Sequence, residues 1–391
     1  MRRVLLFAMG LLTMASCSKE STSVNTPALE RVTLISSVEN QVSKATLSSK
    51  TWYWAPGDAI GVYFYDGGGG EATNTFYLKE SVSTTIGTFE YKGDDIYENR
   101  KWNVGAVYPK FDNAIWWNGT ASDHIANIEL KTSYDYTSGV VLMPLVANLK
   151  SGGVRPTSVA FKQVASCVKV TLNSVPIGTK TITLSADKTI AGDCNIKISD
   201  VGTETLSYYA NPSTSVSFVL SSALTSSQNG MVFYFPILPV SDPTFTISVK
   251  DTDDHVLWSK TKAFTGASTL TLGRGDILEM AATSVSTKTL TVGIADYIGS
   301  PSTTYIHAWG GLAGAGTDYQ VKWDESTTIT GTRDTHSSDP QTYNAYTATV
   351  PNDITGFNIK YGEQWSSNAS NTSQTGYIYE WGKVYYIFFT D

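Results

Sequence analysis

Thr51-Trp52-Tyr53-Trp54-Ala55-Pro56-Gly57-Asp58-Ala59-Ile60-Gly61-Val62-Tyr63 is the stretch on which the reading of the fold turns. Pro56 and Gly57 supply turn dihedrals, and Asp58 can hydrogen-bond its own turn backbone. The residues after the turn alternate, so Ile60, Val62 and Phe64 share one face of a strand. Trp52 and Trp54 share a face of the segment before it. A tight turn feeding an alternating aromatic run predicts a half-buried β-strand.

The same period of two recurs along the chain. Val32 to Ile35, Ala59 to Tyr65, Ser166 to Leu172, Thr181 to Leu184, Val232 to Phe235 and Phe245 to Val249 all read as strands. No stretch of twelve or more residues shows helical spacing. Turn signals fall at Gly67 to Gly70, Lys92-Gly93-Asp94, Ser151-Gly152-Gly153 and Asp251 to Asp254. Hydrophobic content of 41% suffices for a core, charge is low at 16%, and 22 Tyr, 10 Trp and 32 Gly suit strands joined by tight turns. The expected class is all-β, built from sandwiches. Residues 149–156 (LKSGGVRP) and 281–288 (AATSVSTK) read as connectors, which divides the body into modules at 28–150, 151–281 and 289–391. The last holds four of the 10 Trp and ten of the 22 Tyr.

The N-terminus reads as an export signal. Met1-Arg2-Arg3 is positive, Val4 to Met14 is apolar, and Met14-Ala15-Ser16-Cys17 ends the run with small residues. The apolar run is shorter than the roughly 20 residues that span a bilayer. Residues 1–16 are expected to be a signal peptide. A Cys at the cleavage point resembles a bacterial lipobox, which implies that Cys17 is acylated, with 17–27 a lipidated tether to the outer membrane. An ordinary signal peptide with a chance Cys is the other reading. The net charge of −7 argues against a nucleic-acid partner, because no basic stripe could neutralise phosphates.

The Trp–Gly-Asp stretch resembles the signature of fimbrillin-like lipoproteins, the subunits of type V pili. Val107-Tyr108-Pro109, Leu142-Met143, Val159 to Val170, Phe233 to Pro239 and Leu272 to Met280 follow in the order and spacing of that family. The resemblance covers about residues 30–281 and implies two tandem transthyretin-like β-sandwich domains. It also implies assembly with other pilin subunits. In pilus-forming members a protease removes the first strand, and a donor strand from a neighbour fills the groove. Here the first strand would be Arg31 to Val38. The family's cleavable Arg aligns with Lys44 in Ser43-Lys44-Ala45-Thr46, so Arg31 and Lys44 are the candidate processing residues.

Thr304 to Trp309, with the later Trp365 and Gln374-Thr375, give the C-terminal module a looser resemblance to the starch-binding modules of carbohydrate-binding module family twenty-six. Thr304-Tyr305-Ile306-His307-Ala308-Trp309 puts Tyr305, His307 and Trp309 on one strand face. Trp365 precedes a polar loop, and Gln374-Thr375 follows it. The family's Asn-rich strand end is replaced by Ile359 to Gly362, and the acid after Gln-Thr is absent. The resemblance implies an aromatic-rich sandwich whose Tyr305, His307, Trp309, Trp365 and Gln374 hold an oligosaccharide such as an α-glucan. Aromatic planes can stack on the apolar faces of sugar rings while amides take the hydroxyls. The same face could instead be the inward face of its strand.

Other signals are bland. Arg274-Gly275-Asp276 spells a three-residue adhesion tripeptide, which is common by chance and sits in a turn. Asp251-Thr252-Asp253-Asp254-His255 lacks the Gly and distant Glu of a calcium loop and reads as a hairpin turn. His124, His255, His307 and His336 have no metal-ligand spacing. There is no Gly-x-Ser-x-Gly elbow or phosphate loop, and no cofactor is called for. Cys167 and Cys194 could pair or remain thiols. Three functions compete. The leading one is a minor or tip fimbrial adhesin rather than an enzyme, with a C-terminal glycan-binding module. Its rival is a non-polymerising glycan-binding lipoprotein of a polysaccharide-uptake system, and a secreted hydrolase comes third.

Overall fold

The Pro56-Gly57-Asp58 turn is tied from three sides. One Asp58 carboxylate oxygen accepts the Ala55 amide at 2.7 Å, and the other accepts the Tyr108 hydroxyl at 2.9 Å. The Asp58 amide closes the turn onto the Ala55 carbonyl at 3.0 Å. The two halves of the motif, Gly-Asp and Tyr-Pro, thus hold each other across 50 residues. Burial, reinforced by the Asp58 charge, pushes the Tyr108 phenol well above its ordinary range, so it stays a donor.

The computed structural model describes residues 33–38, 54–65, 71–82, 84–91, 105–110, 115–117, 124–136, 143–149, 157–198, 206–266, 269–294, 304–332, 340–361, 364–365, 377–378 and 385–387. The chain is all-β, and among the described residues no helix is long and apolar enough to cross a membrane. The first strands are β1 (Thr33–Val38), β2 (Ala59–Tyr65), β3 (Glu71–Leu78), β4 (Ile86–Tyr91), β5 (Gly105–Tyr108), β6 (Ile115–Trp117), β7 (His124–Leu130), β8 (Ser133–Asp135), β9 (Leu145–Asn148) and β10 (Ser158–Gln163). Seven of them close a barrel in the order β1-β10-β9-β5-β2-β3-β4. Its core gathers around Trp54, whose ring meets Phe89, Tyr108 and Phe161 edge-on at 5.0, 5.2 and 5.6 Å. Ile60 and Val62 point into this core, as the alternation predicts. Within the expected all-β architecture the first sheet closes on itself, because β1 bridges β4 and β10.

The second module contributes β11 (Ser166–Asn173), β12 (Thr181–Ala186), β13 (Ala191–Lys197), β14 (Ser207–Ser213), β15 (Ser215–Val219), β16 (Met231–Ile237), β17 (Val240–Ser241), β18 (Thr244–Lys250), β19 (Val256–Ala263), β20 (Thr271–Leu272), β21 (Ile277–Glu279) and β22 (Thr283–Ser284). Its sheets share one core, in which Phe218, Phe233 and Phe235 pack together. The sheets do not divide at the 150/151 boundary that the sequence suggests. β10, beyond that boundary, completes the barrel, whereas β7 pairs with β13 and β8 with β15. The reason lies in β7: His124, Ala126, Ile128 and Leu130 form one buried face, and Ala126, Ile128 and Leu130 belong to the second module's core.

The C-terminal module holds β23 (Thr287–Ile294), β24 (Thr304–Trp309), β25 (Thr317–Gln320), β26 (Lys322–Thr332), β27 (Pro340–Pro351), β28 (Gly356–Tyr361), β29 (Gln364–Trp365), β30 (Tyr377–Ile378) and β31 (Tyr385–Ile387). Two sheets, β26-β27-β23-β31 and β25-β24-β28-β29, enclose a core of Leu290, Ile306, Tyr346, Val350 and Phe357. This core is not closed by residues 289–391 alone. Leu257 of β19, only 1% exposed, belongs to it, while the adjacent Trp258 points into the second module's core. His255 packs its ring against Tyr319 at 5.5 Å.

Two predictions follow from this junction. Leu257→Ala should destabilise the C-terminal module by about 2–5 kcal/mol, the range for truncating a buried Leu. Thermal unfolding of the full chain, followed by tryptophan fluorescence, reads this; an unchanged transition would show that the module stands alone. Tyr319 is buried, and that burial, with the Asp251 charge beside it, raises its phenol to about 12. Below pH 10 both folded and unfolded chains keep this proton. Above it the unfolded chain releases the proton first, so stability falls as pH rises toward 12. Tyr319→Phe should flatten that part of the stability–pH curve.

Candidate functional site

The alternation of β24 settles which face it buries. Ile306 and Ala308 are both 0% exposed and lie in the core, so Tyr305, His307 and Trp309 occupy the opposite, half-buried face. Their neighbours are set by register. His307 lies between Asp318 on β25 and Asn358 on β28, and Trp309 lies opposite Gly356.

Two glycines let the rings lie down on the sheet. A Cβ on Gly356 would sit 2.4 Å from the Trp309 indole, and one on Gly316 would sit 2.3 Å from His307 Nε2. Either methyl would lift its ring off the backbone. His307 is also oriented by charge, since its Nδ1 lies 2.5 Å from an Asp318 carboxylate oxygen. With Asp318 ionised, Nδ1 donates, which fixes the imidazole's tautomer and its tilt. Asn358 adds an amide at 8% exposure. The result is two flat rings side by side with a carboxylate and an amide among them. Such a surface can stack on an apolar ring face and hydrogen-bond the hydroxyls around it.

Of the other residues expected at this site, Trp365 is in β29, opposite Lys360, which in turn pairs with Tyr305. By register, positions 305, 360 and 365 fall on one face of the sheet, with 305 and 365 two strand spacings, about 10 Å, apart. Gln374 lies outside the described residues, as do Cys17, Arg31 and Lys44. Asp318, Asn358, Gly316 and Gly356 were missed by sequence reasoning. The alternating Gly356-Phe357-Asn358-Ile359 is the signal that could have found two of them.

The bland signals have structural roles. The Gly275 amide donates to the Ala165 carbonyl, Arg274 donates to the Gln163 carbonyl at 3.3 Å, and the Asp276 carboxylate accepts the Gly273 amide at 2.8 Å. That tripeptide therefore braces the junction of β10 and β11. Asp251, Asp253 and His255 bring ligand atoms within 4.8 Å of one another. Yet Asp251 already accepts the amides of Asp253 and His255, both at 2.9 Å, and meets the His255 ring at 3.2 Å, which holds the β18–β19 turn. Cys167 and Cys194 are both buried thiols. Burial, with Asp193 nearby, pushes the Cys194 thiol to about 12, so it is inert at neutral pH.

No family model and no curated protein matches the chain. Among solved structures, a candidate cell adhesion protein of Bacteroides uniformis is similar over 66% of this chain and 94% of its own, at 14% identity and a TM-score of 0.38. The fimbrial anchor protein Mfa2 of Porphyromonas gingivalis is similar over 59% of this chain and 82% of its own, at 14% identity and a TM-score of 0.28. A candidate adhesin of Bacteroides ovatus is similar over 71% of this chain and all of its own, at 13% identity and a TM-score of 0.25. Likenesses this loose carry no functional argument.

The geometry of β24 makes its two faces separable by mutation. Ile306→Ala should cost about 2–5 kcal/mol of stability. Trp309→Ala should leave the folded fraction unchanged at 25 °C, and Gly356→Ala should shift the Trp309 emission by lifting the indole toward water. Unfolding of the Trp309→Ala chain would mark that ring as core.

Proposed function

We propose that this protein is a lipid-anchored surface adhesin of the fimbrial type, not an enzyme, which assembles by exchange of β1 and offers the β24 face to a glycan. The observation that carries the reading is the setting of β1. It pairs antiparallel with β4 from Thr33↔Glu90 to Ser37↔Ile86, and parallel with β10 from Ile35↔Ser158 to Val38↔Phe161. Without it, both neighbours would present rows of unpaired amides and carbonyls, which another strand can satisfy. The segment that follows β1 carries Lys44, and the next paired residue among the described ones, Trp54, bridges to Thr84 between β3 and β4. A cut after Lys44 leaves β1 joined to the body without a covalent link, through its ladders with β4 and β10. It also severs the body from acylated Cys17, so departure of β1 after the cut both opens the groove and releases the subunit from the membrane.

A non-polymerising, glycan-capturing lipoprotein is the second reading, because the β24 face serves it equally. The test separates the two. A chain cut after Lys44 should take up a tagged peptide of residues 28–44, and the uncut chain should not. A cut chain that keeps its own strand and refuses the peptide eliminates assembly by this route. In parallel, amylopectin in an affinity gel should retard the full chain with a Kd of about 1 µM to 1 mM, since two or three stacking contacts must offset the immobilisation of the ligand. Trp309→Ala should abolish that retardation. If no polysaccharide retards the wild type, the β24 face is structural or binds protein.

A further inference from the structure

A concavity lies between the second and C-terminal modules and reaches the β25-β24-β28-β29 sheet at Tyr319 and Gln320, the latter paired with Tyr305. It encloses about 570 Å³, within the usual size range of small-molecule sites. One wall is the β26-β27-β23-β31 sheet. Thr347 and Thr349 are two apart on β27 and so share a face, and Thr289 of β23 pairs directly with Thr349. Three hydroxyls thus form a small ladder on one sheet surface. The other wall belongs to the second module. It consists of the Ile177–Gly178 turn, the Ala223–Thr225 loop and the Asp251–Asp253 turn. The first two are laced together by backbone bonds from Gly178 to Leu224 and from Leu224 to Thr179, at 2.8 and 2.9 Å. The third is locked by Asp251. The floor is apolar where Leu257 and Tyr319 meet.

Both walls are therefore stiff, and Leu257 holds them at a set distance by sitting in the C-terminal core. A preformed cleft avoids the ordering cost that weakens binding at mobile surfaces. Its chemistry is specific in kind. Thr225 and Thr252 add hydroxyls at the rim, Gln320 adds an amide, and the formal charges among its described lining residues are the carboxylates of Asp251 and Asp253. Hydroxyls, an amide and carboxylates over an apolar floor match a ligand that is rich in hydroxyls and carries apolar patches. Two negative charges disfavour an anionic one.

We propose that this cleft is a saccharide site distinct from the β24 face, taking a short neutral oligosaccharide between the second and C-terminal modules. The proposal stands whether or not the β24 face binds sugar. It makes the pairing of the modules part of the site: neither wall alone has both the threonine ladder and the carboxylates.

The test uses the full chain, made soluble by Cys17→Ser, on an array of neutral oligosaccharides beside their sialylated and sulfated counterparts. At least one neutral oligosaccharide should be retained, and its charged counterpart should bind more weakly. Thr347→Val with Thr349→Val should weaken that binding by roughly tenfold or more, because ligand hydroxyls lose partners at a desolvated surface. Ile177→Trp should weaken it as well by filling the cleft; this residue is 40% exposed, so the substitution does not disturb a core. Both cleft substitutions should weaken it equally in a Trp309→Ala background, where the β24 face is disabled. Retention that is lost in Trp309→Ala but survives both cleft substitutions would overturn the proposal and assign binding to the β24 face. Failure of every neutral oligosaccharide to bind would overturn it too.

Discussion

A β-sheet protein has to end its sheets somewhere, and an open edge leaves backbone donors and acceptors unpaired. In the first module the chain solves this with its own leading strand. β1 lies between β4 and β10 and turns an open sheet into a barrel. The packing around Trp54 depends on that closure. Phe89 comes from β4 and Phe161 from β10, the two strands that β1 joins, and both rings press on the indole. The strand that completes the backbone ladder thus also sets the distance between two walls of the core. In the proposed assembly its removal and the release of the body would be one event.

Between modules the chain relies on strands that lend side chains to a neighbouring core. β7 gives its apolar face to the second module's core, while β5 and β9, farther along the chain on either side of it, build the barrel. β19 does the same at the other end, sending Leu257 one way and Trp258 the other. Farther along, Lys260 and Lys262 are exposed, as an edge strand requires. Two consecutive buried residues on an edge strand are possible only if something covers both faces, and here the C-terminal module supplies the second cover.

Much of this was legible from residues. The Pro-Gly-Asp turn and the strand after it, 59–65, fall where the alternation puts them. The run read at 181–184 is the start of β12, and 245–249 lies inside β18. What failed to show was pairing between distant segments. Nothing in Ala126, Ile128 and Leu130 names β13 as their partner, so the connector at 149–156 looked like a module boundary although strands cross it. Val256-Leu257-Trp258 is an unbroken apolar run, and such a run does not say which residue faces which core. At the β24 face the rings were visible and their supports were not. Gly356 and Gly316 matter only because particular rings lie on them, and that is a fact of register rather than of composition.

These features join into one mechanical path. A load on the C-terminal module would reach a core that contains Leu257. Leu257 belongs to β19, which is paired with β18 and through it with β12 in the second module's sheet. That module's core also holds Ala126, Ile128 and Leu130 of β7 and, from the barrel strands, Tyr63, Val107 and Val146. At each of these steps the load crosses packed side chains or a ladder of hydrogen bonds rather than a slack linker. In the proposed assembly the exception would be the last step, from barrel to tether, once the chain is cut. There β1 would resist through its ladders with β4 and β10. Strand ladders pulled along their length must break many bonds together, whereas those peeled from one end break in turn. β1 runs antiparallel to β4 but parallel to β10, and a pull on the tether starts at its Thr33 end. The first bonds to open are those with β4, because pairing with β10 begins only at Ile35. The parallel ladder with β10 then loads second, and it is this later contact that governs how long a cut subunit stays in place.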